Sequence, residues 1–138
     1  MRPEFIVEAW ENGERDLDKY LEKMGWESWL GVAELGLVMD SKIVDYLEDK
    51  LTSGEKAVLQ LVRDRLSGNL NIESIEEALA IVRNKDTRDL RLEGRLRMER
   101  GLVNFESGEI EKARDDLTWA ETRLKSVAKA SRDHDISL

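Results

Sequence analysis

Cysteine is absent from the chain, so neither a disulfide nor a thiolate metal site can form. That absence suits a reducing compartment, and the expected location is the cytoplasm. Histidine occurs once, as His134 between Asp133 and Asp135 near the C-terminus. Neighbouring residues on a polar tail rarely converge on one ion, so no metal site is expected there. Proline occurs once and phenylalanine twice, and no stretch alternates β-branched and aromatic residues with polar ones, which argues against strands. No apolar run is long enough to cross a bilayer. The opening MRPEFIVEAWENGE carries acids early and lacks the form of a signal peptide. There is no serine in a nucleophile elbow, no glycine-rich phosphate loop and no cysteine nucleophile, so no catalytic residue and no cofactor is expected.

What is present is charge and helical periodicity. Of 138 residues, 41% are hydrophobic and 38% charged, a composition that points to an all-α chain. The length allows one domain, expected over residues 1–130, followed by a polar tail, 131–138, expected to fray. The formal net charge is −8 and uneven: residues 1–50 hold 13 acids and 6 bases, residues 51–138 hold 17 acids and 16 bases. A net-acidic chain repels nucleic acid on average, which disfavours a general nucleic-acid binder.

About eight helices are expected. The first covers 3–10, with Pro3 in its first turn and Phe5, Ile6, Ala9 and Trp10 on one side. Residues 14–24 follow, with Gly25 as C-terminal cap, then 26–38, where Trp26, Trp29, Leu30, Ala33 and Leu37 share a face. Asp40 or Ser41 can cap 42–50. Thr52-Ser53-Gly54-Glu55 has the form of a capping box opening 53–66, whose apolar set includes Leu66. Asn71 caps 72–84, and Asp86 or Thr87 starts 88–106. The last helix covers 109–130 and carries Ile110, Ala113, Leu117, Ala120 and Leu124 at steps of three and four. The break before it is Glu106-Ser107-Gly108-Glu109, where Ser107 can accept from free amides and Gly108 frees the turn. Acids such as Glu73, Glu76, Glu77, Glu111 and Asp115 lie opposite the apolar stripes and read as solvated faces, some paired locally, as in Glu111/Arg114 and Glu121/Lys125.

Residues 94–124 carry small residues at Gly101, Gly108, Ala113 and Ala120, with bulky Leu117 between the alanines. This spacing resembles the tetratricopeptide repeat, in which a small residue of one helix faces an alanine of the next. The chain has Arg97 and Arg100 where the family favours an aromatic residue or leucine, Asn104 where it favours tyrosine, and Lys125 where it favours proline. A shift of 35 residues aligns Ile43, Ala78 and Ala113, and also Leu47, Val82 and Leu117. The resemblance implies antiparallel helical hairpins stacked as a short array, and a scaffold that binds another protein. The repeat-packing residues would be Gly101, Gly108, Ala113, Leu117 and Ala120.

The most informative polar feature is a basic run. Arg88, Arg91 and Arg95 fall at i, i+3 and i+7 on one helix face. By the resemblance, Arg95, Met98, Leu102 and Phe105 would face a groove suited to an acidic or amphipathic peptide. Trp119 stands off the main stripe and is a further candidate for partner contact. Internal pairing of the arginines with Glu73, Glu76 or Glu77 is the alternative. Rival functions are a homo-oligomeric structural protein, a nucleic-acid binder acting through the Arg88–Arg100 face, whose affinity would fall steeply with salt, and an enzyme with a pocket not evident in the sequence.

Overall fold

The computed structural model describes residues 2–24, 28–86 and 88–137, with only the backbone path for Leu124 and 126–137. Among the described residues the chain is all-α: eight helices, one 3-10 turn and no strand. It divides into two compact units, residues 1–69 and 70–138. The boundary along the chain falls just past a tight turn in which Gly68 takes a φ of +77°.

The first unit contains α1 (Glu4–Glu11), α2 (Asp18–Lys23), α3 (Leu30–Val38), α4 (Ile43–Leu47) with the 3-10 turn Glu48–Lys50, and α5 (Ser53–Leu66). Its centre is α3, which packs against α1, α4 and α5. Glu34 is the one charged residue in LGVAELGLV, so α3 can be surrounded, and Val32 and Ala33 are fully buried. Gly36 lets α4 come close, since a Cβ there would stand 2.7 Å from Cγ2 of Ile43. At the α3–α4 corner Asp40 takes a positive φ of 53°, and Ser41, the other cap candidate, accepts from the Ile43 amide at 3.2 Å. The capping box at Thr52 and Glu55 forms with both bonds. Trp29 is buried, as its face required, whereas Gly25 and Trp26 lie outside the described residues. Two apolar assignments are corrected. Phe5 is 54% exposed, the buried pair on α1 being Ile6 and Val7, and Leu66 is 57% exposed at the last residue of α5.

The second unit is α6 (Ile72–Arg83), α7 (Leu90–Glu106) and α8 (Ile110–Ser137), with α7 packed on both others. Asn71 caps α6 by accepting from the Ser74 amide at 2.9 Å. The cap of α7 is Asp89, not Asp86, and Thr87 lies outside the described residues. Asp89 accepts from the amides of Arg91 and Leu92, while its own amide donates to the Val82 carbonyl, tying the connection to the end of α6. The α7–α8 turn has Gly108 at φ +82°. Ser107 does not cap α8; it ends α7 and donates to the Val103 carbonyl. Helical backbone continues to Ser137, beyond the expected end at 130. Positions aligned by the 35-residue shift share burial: Ile43, Ala78 and Ala113 are buried, as are Leu47 and Val82, with Leu117 half-buried.

Candidate protein-interaction surface

α7 buries an unusual face. Leu92, Leu96 and Gly101 turn inward with Glu93 and Asn104, so polar groups enter the unit beside apolar ones. Gly101 sits against Leu117 and Ala113 of α8, and Ala120 is fully buried one turn further on. A buried carboxylate must be paired or hydrogen-bonded to remain charged. Glu93, with its side chain 3% exposed, accepts at Oε2 from Nε of Arg83 and Nε of Arg97, each at 3.3 Å. Its Oε1 has no hydrogen-bond partner, although Nη2 of Arg88 stands 3.9 Å away.

The second buried acid is Asp116 on α8. Arg100 donates to both of its oxygens, from Nε and Nη2, each at 2.8 Å, and Nη1 of Arg97 lies 3.6 Å from Oδ1. The Asp116 hydrogen bonds raise the pKa of the Arg100 guanidinium above its already high ordinary value, with the nearby Glu76 carboxylate adding to the effect. Arg97 also lies 4.2 Å above the Trp119 ring, and Arg123 lies 5.4 Å from it. Arg97 thus touches Glu93, Asp116 and Trp119 together. A cleft of about 420 Å³ opens beside this network, with Glu76, Arg100, Lys112 and Asp116 among its walls. Acids and bases balance along it and are largely paired with each other, so it offers no net charge to a ligand.

The opposite stripe of α7 is different. Arg91, Arg95, Met98, Leu102 and Phe105 follow one another at steps of four, three, four and three, which is one side of a helix. Met98, Leu102 and Phe105 are 39%, 47% and 58% exposed. Arg91 is exposed and Arg95 half-buried. Ile110, placed by its spacing on the apolar stripe of α8, is exposed at the adjoining turn.

Of the sequence-nominated residues, Arg91, Arg95, Met98, Leu102 and Phe105 therefore share a surface. Arg88 precedes the helix and reaches toward Glu93, so it is not part of that row. Trp119 is half-buried beneath two guanidinium groups. Of the three α6 acids named as internal partners, Glu76 lies 3.8 Å from Arg100. The side chain of His134 lies outside the described residues. Asp116 was missed, although its signal was there: an acid standing at i+3 between Ala113 and Ala120 on an apolar stripe. Among the described residues, no cluster of histidine and carboxylate side chains is placed to hold a metal ion, and no helix is long and apolar enough to cross a membrane.

No protein-family model, no curated protein and no solved structure matches the chain. Fold and surface define its class as an all-α protein of helical hairpins, one of whose helices buries a charge network and exposes a basic, apolar stripe.

Proposed function

We propose that the chain is a non-enzymatic protein-interaction module that binds an acidic, amphipathic peptide segment along α7. Arg91 and Arg95 supply charge, and Met98, Leu102 and Phe105 supply apolar contact. The supporting observation is that three large apolar side chains lie exposed in one stripe, in line with two arginines. Contiguous exposed apolar side chains beside cationic ones are the surface that an amphipathic acidic helix complements. The resemblance to the tetratricopeptide repeat supports the same reading, because it would make α7 the counterpart of the helix that lines the groove in that family. The nucleic-acid alternative is weakened by the inward turn of Arg97 and Arg100, which removes two cations from the outer face. The absence of cysteine fits a cytoplasmic setting.

The test is fluorescence anisotropy with labelled helical peptides that place leucine on one face and glutamate on the other, compared with the same peptides carrying lysine for glutamate. The acidic series binds, and Arg91→Glu/Arg95→Glu weakens it by about tenfold or more while the circular-dichroism spectrum stays helical. Equal binding of both series, or undiminished binding by the double variant, would refute the assignment.

A further inference from the structure

We propose that the stripe on α7 of one copy docks into a groove between α3 and α5 of a second copy, so that the protein assembles head to tail. The inference rests on the reading of α7 as an interface and names what that interface meets. The groove has a volume of about 460 Å³ and a largely apolar lining that includes Leu35, Val38, Val62 and Leu66. Val38 and Leu66, 67% and 57% exposed, are the most exposed large aliphatic side chains on the described surface.

Three features select α7 as the occupant. The first is spacing. Gly31, Leu35 and Val38 line the groove along α3 at steps of four and three, and Met98, Leu102 and Phe105 repeat the same steps along α7. Each set spans about 10 Å of helix, so one row can lie along the other. The second is charge at the groove, whose charged lining is Glu4, Glu34 and Arg65, one net negative charge. The third is charge at large: residues 1–69 hold 15 acids and 9 bases, whereas α7 carries Arg91 and Arg95 beside its apolar row. Such opposition steers encounter and fixes orientation.

Because groove and stripe are different surfaces, the contact is heterologous and does not close at two copies unless a ring forms. Sedimentation velocity across a concentration series tests this with two variants, both made at exposed positions so that folding is retained: Val38→Arg/Leu66→Arg in the groove and Leu102→Glu/Phe105→Glu on the stripe. Wild type gains mass as concentration rises, less so at high salt. Each variant alone associates at least about tenfold more weakly. An equimolar mixture of the two, which has one intact groove and one intact stripe, forms dimers and stops there. A monomeric wild type, persistent assembly in either variant, or a mixture that fails to pair overturns the inference. Binding of the acidic peptides, followed in parallel, keeps the two readings apart. Peptide bound by a wild type that stays monomeric refutes self-assembly alone. Self-assembly that persists without peptide binding refutes the peptide reading and leaves this one standing.

Discussion

A Cβ placed on Gly101 would stand 2.8 Å from Cγ and 2.9 Å from Cδ2 of Leu117, with the Ala113 carbonyl oxygen 3.4 Å away. α7 and α8 touch here because one side chain is missing and the opposing one fills the space. Gly101 therefore serves packing, and its helical backbone does not require glycine.

The two residues should be energetically coupled. Gly101→Ala gains about 1 kcal/mol of helix propensity but forces Leu117 aside, at a cost of about 1–3 kcal/mol for overpacking, so a net loss near 1 kcal/mol is expected. Leu117→Ala alone should cost about 2 kcal/mol. In the double variant the new methyl occupies the vacated space, so urea denaturation should give a total loss smaller than the sum by about 1 kcal/mol. Additivity to within about 0.5 kcal/mol would show that the contact is not tight.

The capping box at the start of α5 is a second, local test. The Glu55 amide donates to Thr52 Oγ1 at 3.2 Å, and the Thr52 amide donates to Glu55 Oε1 at 2.9 Å. Glu55 also accepts from the Ser28 hydroxyl, so the cap is tied to the segment before α3. Thr52→Ala should destabilise the fold by about 1 kcal/mol, and Thr52→Ser should recover most of that loss. An unchanged denaturation midpoint in the alanine variant would mean that water satisfies these amides equally well.

Such local signals account for what was legible in the sequence. Thr52 with Glu55, Asn71 with the next helix, and Gly108 in its turn act on residues within about four positions, so their spacing alone carries the information. The cap of α7 was misplaced because Asp86, Thr87 and Asp89 all have suitable side chains. The choice falls to Asp89, whose amide bonds to Val82 of α6, and sequence spacing does not reveal that bond. Phe5 and Leu66 looked like core residues by periodicity, but a helix at the edge of a small unit has more apolar positions than neighbours to cover them. Arg97 and Arg100 were visible as departures from the repeat pattern. Their purpose emerges only when α8 brings Asp116 beside them.

Glu14 gives the protein a measurable pH signature. Lys19 Nζ lies 2.7 Å from its Oε1, and the Tyr20 hydroxyl donates to its Oε2 at 2.8 Å. The Lys19 bond, then the Tyr20 bond, hold the carboxyl below its ordinary value of 4.5. A depressed carboxyl pKa means that the stabilisation is present in full above the ordinary value and is lost as pH falls through the folded one. The same network raises the Tyr20 phenol above 10.0, because its hydrogen bond to Glu14 holds the proton, with desolvation and then the carboxylate's charge adding to the effect. An NMR titration should place the Glu14 midpoint below 4.5, moving upward in Lys19→Met and by a smaller step in Tyr20→Phe. A midpoint at the ordinary value in wild type would refute the pairing.

The two buried acids of the second unit should respond differently when neutralised. Both oxygens of Asp116 are taken by Arg100, whose side chain is only 20% exposed, so Asp116→Asn sets an amide donor against a guanidinium with little access to water. Removing one partner of a largely buried pair leaves an uncompensated charge, and the expected loss is about 3 kcal/mol. Glu93 offers a gentler exchange. Its Oε2 receives both arginine bonds while Oε1 has no hydrogen-bond partner and faces the 57% exposed Arg88 from 3.9 Å, so the glutamine of Glu93→Gln can keep its carbonyl toward Arg83 and Arg97 while its amide meets a guanidinium that is free to swing into water. The arginines left behind are 37% and 21% exposed and can recruit water, so the cost should stay near 1 kcal/mol. Urea denaturation of the two variants should therefore rank Asp116→Asn well below Glu93→Gln. The reverse order would mean that the cationic surroundings of Glu93, and not the bidentate Arg100 pair, hold α7 to its neighbours.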